Sequence, residues 1–153
     1  MSEHTIIFEE TVSYLLAKVT TAFRRSIEEH MADIDLHSGQ VFVLIELWRE
    51  DGLKQFEIAN RLNVKPPTVS NMIRGLEKIN LVRTKKNSKD GRAVTVHLTA
   101  RGKTTTREAV EKRWIDVESQ CIAGLSTSDR VVLFEVLKKL RGTYTGQKVS
   151  DEE

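Results

Sequence analysis

The chain has 153 residues, within the range of a single domain, and its 39% hydrophobic and 30% charged residues are too apolar a mix for disorder and too polar a one for a membrane protein. The one cysteine, Cys121, cannot form an intramolecular disulfide; the longest aliphatic and aromatic run, Val41 to Ile45, is far short of a bilayer span, and the opening MSEHTIIFEE reads as neither leader nor anchor. A cytoplasmic location and no membrane partner are therefore expected. Net charge is only +2, but residues 61 to 92 hold nine basic residues against two acidic ones, so this window carries +7 and the remainder −5. A basic segment in an otherwise acidic chain is the footprint of a face that meets phosphate, or else a solvated basic surface.

In chain order, Phe8, Val12, Leu15, Leu16, Val19, Phe23, Ile27 and Met31 recur every three or four residues, which predicts a long helix from about Ile6 to Asp33. Val41, Leu44, Ile45 and Trp48 predict a second, with Ser38 as its N-cap and the Asp51-Gly52 turn after it. Phe56, Ile58, Ala59 and Leu62 suit a short third helix from about Lys54 that lacks a Ser, Thr, Asp or Asn cap. Asn63-Val64 breaks the pattern and Pro66 is compatible with the first turn of a fourth helix. Its buried face is Val69, Met72, Ile73, Leu76 and Ile79, which leaves Thr68, Ser70, Asn71, Arg74 and Lys78 outward. After Asn80 the period becomes two, with Leu81 to Lys86 and Val94 to Thr99 reading as strands of a hairpin whose connection, Asn87 to Arg92, is rich in turn formers. Thr99 is the expected cap of a fifth helix carrying Val110, Trp114, Val117 and Cys121. Ser126 with Asp129 forms a capping-box start for a sixth.

The expected fold is mainly α with a small β-hairpin wing. It forms a single domain, 1–153, in which a winged helix-turn-helix lobe (37–102) is flanked by N- and C-terminal dimerisation helices (1–36 and 103–145) and a polar tail (146–153). The chemistry suits double-stranded DNA: a major groove about 12 Å wide accepts one helix, short polar side chains approach base edges, and Arg reads guanine through two hydrogen bonds. On the fourth helix these are Thr68, Ser70, Asn71, Arg74 and Lys78. On the wing they are Lys85, Lys86, Lys89 and Arg92, with Asp90 orienting Arg92 or a loop N–H.

The stretch Asp90-Gly91-Arg92-Ala93-Val94-Thr95-Val96-His97-Leu98-Thr99-Ala100-Arg101-Gly102 resembles the wing signature D-x-R-x-x-x-V-x-L-T-x-x-G of MarR regulators. Pro67 to Glu77 is similar to that family's recognition helix, which adds Pro67 to the DNA-facing set, and Leu81-Val82-Arg83 to its exit into the wing. The pair Pro66-Pro67 and the uncapped third helix depart from the pattern. The resemblance implies a homodimer binding a pseudo-palindromic operator, a transcriptional regulator that by default represses, and a small aromatic or phenolic ligand between the dimerisation helices and the DNA-binding lobe. Phe23, Ile27, His37 and Phe42 are the candidate residues for that pocket. The apolar faces of the first, fifth and sixth helices independently favour a dimer.

Other readings are blander. The histidines have no ligand spacing with Cys121, so no metal or other cofactor is expected. No nucleophile with a base and an orienter is visible, so no catalytic residue is named and an enzyme is not expected. Cys121 reads as a buried small hydrophobe, and Trp48 and Trp114 as core or interface anchors. The alternative function is a winged-helix protein-interaction module without DNA binding, which has no need of Lys85, Lys86, Lys89 and Arg92 beside Arg74.

Overall fold

The computed structural model of the protein describes residues 6–86 and 94–145. A 3-10 turn (Phe8–Glu10) precedes the first helix, α1 (Val12–Met31). The apolar period reaches back to Ile6, but Thr11 is extended and its hydroxyl accepts from the Tyr14 N–H at 3.3 Å, so the helix starts there. The second helix, α2 (Ser38–Arg49), is capped one residue earlier than expected. The Gln40 carboxamide accepts from the His37 N–H at 3.0 Å, while the Ser38 hydroxyl, free of the capping role, donates to Glu28 of α1 at 3.2 Å.

Gly52, at φ 80°, turns the chain into a two-residue strand, β1 (Leu53–Lys54), absent from the sequence reading. The third helix, α3 (Gln55–Leu62), starts without a Ser, Thr, Asp or Asn because Glu57 reaches back to accept from the Lys54 N–H at 2.6 Å. Asn63, left-handed at φ 51°, ends α3, and Pro66 opens α4 (Pro66–Lys78) in a first turn whose N–H groups have no helical partner anyway. Another left-handed residue, Asn80 at φ 58°, lets the Leu81 N–H close α4 by donating to the Leu76 carbonyl at 2.9 Å.

The hairpin follows as β2 (Val82–Lys86) and β3 (Val94–Leu98), antiparallel and in register from Val82 opposite Leu98 to Lys86 opposite Val94. On the other edge β1 pairs with β3, Leu53 opposite Val96, giving the sheet order β1-β3-β2. The Asp51 carboxylate accepts from the Leu98 N–H at 2.8 Å and lies 3.5 Å from His97 Nδ1, so the turn after α2 is pinned to the root of the wing.

Thr99 caps the next helix as expected, its hydroxyl accepting from the Gly102 N–H at 2.9 Å. That helix is continuous but not uniform: α5 (Ala100–Thr105) widens into a π turn (Thr106–Val110) before resuming as α6 (Glu111–Ile122). Inside the π turn the buried Thr106 hydroxyl donates to the Gly102 carbonyl at 2.8 Å. The last helix is α7 (Thr127–Thr145). Its start follows the expected box, with the Asp129 carboxylate accepting from the Ser126 N–H at 3.0 Å and the Ser126 hydroxyl accepting from the Asp129 N–H at 3.2 Å. The Ser126 bonds hold the Asp129 carboxyl below the usual aspartate range.

One core joins α1, α2, α3, α4, the sheet and the α5–α6 helix through Ile27, Met31, Leu44, Leu47, Ile58, Ile73, Leu76, Val96 and Val110, all essentially inaccessible to solvent. Each such side chain contributes about 1.5–3 kcal/mol on burial. Gly102 sits where the helical frame crosses the end of β2, and a Cβ there would land on the Leu81 backbone carbonyl. Cys121 departs from the expected burial and is exposed. α6 packs on α1 through Val117, and one turn further on the contact is polar, with the Ser26 hydroxyl bonded to Gln120. Among the described residues no helix is long and apolar enough to cross a membrane.

Candidate nucleic-acid interface

The basic window divides once its side chains are placed. Arg61, on α3, is exposed but reaches across to α2, with its guanidinium hydrogen-bonded to Glu50 and 3.5 Å from Glu46, both on or next to that helix. The Glu50 bond is also the main reason its pKa is raised. Arg61 thus ties α3 to α2, its charge paired with two carboxylates.

The helix α4 buries Val69, Ile73 and Leu76, so its opposite ridge is solvent-facing by geometry. Pro67, Thr68, Asn71, Arg74 and Lys78 are all exposed there; Pro67, Asn71, Arg74 and Lys78 recur at intervals of four, three and four, which places them along one line of the helix, with Thr68 beside it. Ser70 lies at the ridge's edge, half-buried, its hydroxyl donating to Gln55 at 2.8 Å. Arg74 donates to the Asn71 Oδ1. A guanidinium only donates, so the bond occupies the acceptor of the carboxamide, and the Asn71–Arg74 pair presents N–H groups outward.

The wing strand β2 continues this face. The Thr84 hydroxyl donates to Glu77 of α4 at 3.0 Å, fixing the strand to the helix. Arg83, Lys85 and Lys86 follow, all exposed. Lys85 is opposite Thr95 and Lys86 opposite Val94, so both lysines lie where the strands run out toward the wing connection. Lys89, Asp90 and Arg92 lie outside the described residues. Two exposed or half-exposed groups next to the ridge were not among the expected residues: Lys65, immediately before α4, and Gln55, held by Ser70. Lys65 stood in the basic window. Gln55 carries no signal in sequence, because its place depends on how α3 packs on α4.

The four residues expected around a small-molecule pocket do not come together. Ile27 is fully buried in the core and His37 is exposed at the start of α2. Phe23 and Phe42 both pack edge-on to Trp114, with ring centroids 6.2 and 5.9 Å away. Only Phe42 of the four also lines the apolar groove that does exist, about 650 Å³ between α2 and the α5–α6 helix, walled by Ile45, Trp48, Val110, Trp114 and Ile115. Trp48, expected as an anchor, is half exposed in that wall. The sequence reading took the junction of α1 and α2 as the pocket, but that junction is filled by the core. No group of three or more metal-ligating side chains occurs among the described residues.

The sequence model of the MarR family matches residues 36–94, from just before α2 to the first residue of β3. The HTH-type transcriptional repressor MdtR of Bacillus subtilis is 36% identical over 85 residues, 56% of this chain and 55% of that protein. The HTH-type transcriptional regulator TtmR of Methylorubrum extorquens is 34% identical over 82 residues, 54% of this chain and 42% of that one. The chain thus spans about half the length of the curated relatives it matches. In structure, the S. aureus MepR–DNA complex superposes with a TM-score of 0.77 at 27% identity, covering 87% of this chain and 98% of that one.

Proposed function

We propose, from the premise that this chain carries a MarR-family winged-helix domain, that it is a sequence-specific DNA-binding transcriptional regulator that acts as a homodimer on a pseudo-palindromic operator. The observation that supports the reading is the exposed polar ridge of α4 with β2 tied beside it through the Thr84–Glu77 hydrogen bond, which sets the exposed Lys85 and Lys86 next to that helix. An α-helix presenting Thr68, Asn71, Arg74 and Lys78 fits the major groove. Lys85 and Lys86 beside it, with Lys89 and Arg92 beyond them in the chain, supply the phosphate contacts, and Asp90 orients Arg92. MdtR is named a repressor and MepR is solved on DNA, which supports repression by promoter occlusion as the mode of action here.

Dimerisation is supported by the surface that one copy leaves uncovered. α7 runs for 19 residues with none buried, and Val131, Val132, Leu133, Phe134, Val136 and Leu137 are all exposed on it. Val12, Leu15 and Val19 expose a second apolar stripe on α1. Apolar area of this extent costs roughly 25 cal/mol per Å² to keep in water and is relieved by a second copy related by a two-fold axis. That axis sets the two α4 ridges for half-sites about 10 bp apart.

Selection of bound duplexes from a random pool, followed by titration of the winner at several salt concentrations, tests the proposal. A pseudo-palindrome bound with a steep salt slope is expected. Absence of both an enriched sequence and salt-dependent binding would replace it with the protein-interaction reading.

A further inference from the structure

The start of α4 lacks donors that the start of a helix ordinarily provides. The first N–H groups of a helix have no helical partner and readily hold a phosphate. In α4 the first two positions are Pro66 and Pro67, which have no N–H, and the Thr68 N–H turns back onto the Lys65 carbonyl at 3.0 Å. The first turn therefore has no free backbone donor to offer.

A side chain from the neighbouring helix stands beside this gap. Ser70 lies on the flank of α4 that meets α3, and its hydroxyl donates to Gln55 Oε1 at 2.8 Å. Gln55 is the first residue of α3 and is half-buried. Its amide nitrogen has no protein partner among the described residues, where no buried side-chain nitrogen or oxygen is left unsatisfied, so that nitrogen reaches solvent. Ser70 and Glu77, seven residues or about two turns apart, share one flank, and Glu77 holds Thr84 of β2. The flank thus carries an amide donor toward the start of α4 and the lysine-bearing strand toward its end.

We propose that Gln55 contacts a DNA phosphate beside the α4 ridge, and that Ser70 is the positioning residue that aims it rather than a reader of bases. Glutamine reads adenine with its amide oxygen and nitrogen together. Here the oxygen is spent on Ser70, and only donors face outward. A phosphate oxygen only accepts, so it matches what the side chain has left. When the second helix of a helix-turn-helix unit lies in the major groove, the first crosses the DNA backbone, which brings the start of α3 to the phosphates. The Ser70 bond also holds a side chain that would otherwise lose rotamer freedom on binding. The assignment rests on the DNA-binding reading and moves Ser70 from the base-facing set to a supporting place.

The test uses the full chain, the selected operator, its single-base variants and several salt concentrations. Gln55→Ala should weaken binding about tenfold, by the same factor on every sequence. Its salt slope should equal the parent's, because a neutral amide displaces no counterion. Gln55→Glu keeps the size and the acceptor for Ser70 but turns the outward donor into a charge that repels phosphate, so it should bind about tenfold more weakly again. Gln55→Lys puts back a donor together with a charge; it should recover affinity over Gln55→Ala and steepen the salt slope. Ser70→Ala should weaken binding about threefold in the parent and not at all in the Gln55→Ala background, the coupling that a positioning role demands. Parental affinity in Gln55→Ala, a loss confined to one operator position, or an equal loss from Ser70→Ala in both backgrounds would overturn the assignment and leave the regulator reading in place. A parent chain that binds no duplex would overturn both.

Discussion

Replacing Gly102 by alanine sets helix propensity against a steric contact, and the two predict opposite signs. In an exposed helix interior the exchange stabilises by about 1 kcal/mol. At Gly102 the new Cβ would sit on the Leu81 carbonyl, 2.9 Å from its carbon, and 3.3 Å from Leu98 Cδ2. The carbonyl cannot retreat freely, because its oxygen accepts from the Thr99 N–H at 3.0 Å and from the Thr99 hydroxyl at 3.2 Å. Overpacking costs about 1–3 kcal/mol and each weakened hydrogen bond about 1 kcal/mol. Set against the propensity gain, Gly102→Ala should destabilise by about 1–4 kcal/mol. Urea unfolding followed by circular dichroism at one fixed protein concentration measures it, since a dimer's stability depends on concentration. Gly124→Ala, where nothing lies within 4 Å of the added carbon, is the matched control and should stay within about 0.5 kcal/mol of the parent. A Gly102→Ala protein as stable as the parent would refute the claim that the frame and the wing root meet backbone to backbone at this point.

Three further outcomes follow from other parts of the molecule. Because the Asn71–Arg74 pair offers only donors, it matches the two acceptors of guanine better than the acceptor and donor of adenine. Arg74→Ala should therefore reduce guanine-over-adenine discrimination at one operator position about 5- to 140-fold, measured by competition binding; an equal loss on every sequence would make Arg74 a phosphate contact. Phe134→Asp places a charge in the apolar stripe of α7 and should halve the mass seen by light scattering while the helical signal persists; an unchanged mass would move the dimer surface elsewhere. The carboxyl of Asp33 is held below its ordinary range chiefly by the Arg113 hydrogen bond, with Nε at 2.9 Å. A lowered folded-state pKa stabilises above the unfolded value, about 3.9, and that stabilisation is lost as pH falls through the folded value. Asp33→Asn should accordingly lower the urea midpoint at neutral pH, with the gap closing below about pH 4; a gap that widens in acid would contradict the sign.

What sequence made legible was local. Thr99, Ser126 with Asp129, and Pro66 are residues whose own chemistry ends or begins a helix, and each does so where expected. The α4 ridge was readable for the same reason, since a 3.6-residue period that buries Val69, Ile73 and Leu76 dictates what faces out. The misses depend on which partner a group finds once the chain is folded. His37 starts α2 only because Gln40 reaches back, β1 exists only because β3 is there to pair with it, and Arg61 leaves the basic face only because Glu50 lies beside it. The four residues named for the pocket do not converge because periodicity tells which side of a helix is apolar, and not which of two neighbours fills the space. Cys121 shares its stripe with Val117 but lies past the end of the packing contact.

The π turn at Thr106–Val110 has a consequence for how this chain tolerates change in length. A π turn accommodates one residue more than an α-turn over the same rise, so it acts as a phase shifter between two otherwise ordinary helical segments. Deleting a single residue there lets the backbone relax to α geometry, which takes up the loss and leaves the residues downstream close to their phase. Trp114 would keep its place against Phe23 and Phe42, and Val117 its place on α1, while Gly102 stayed seated on the wing root. Deleting one residue in α6 instead would leave the π turn intact and rotate everything beyond the deletion by about 100°. The helix therefore carries its spare residue at the joint between frame and wing, where a one-residue loss is absorbed without disturbing the packing of either.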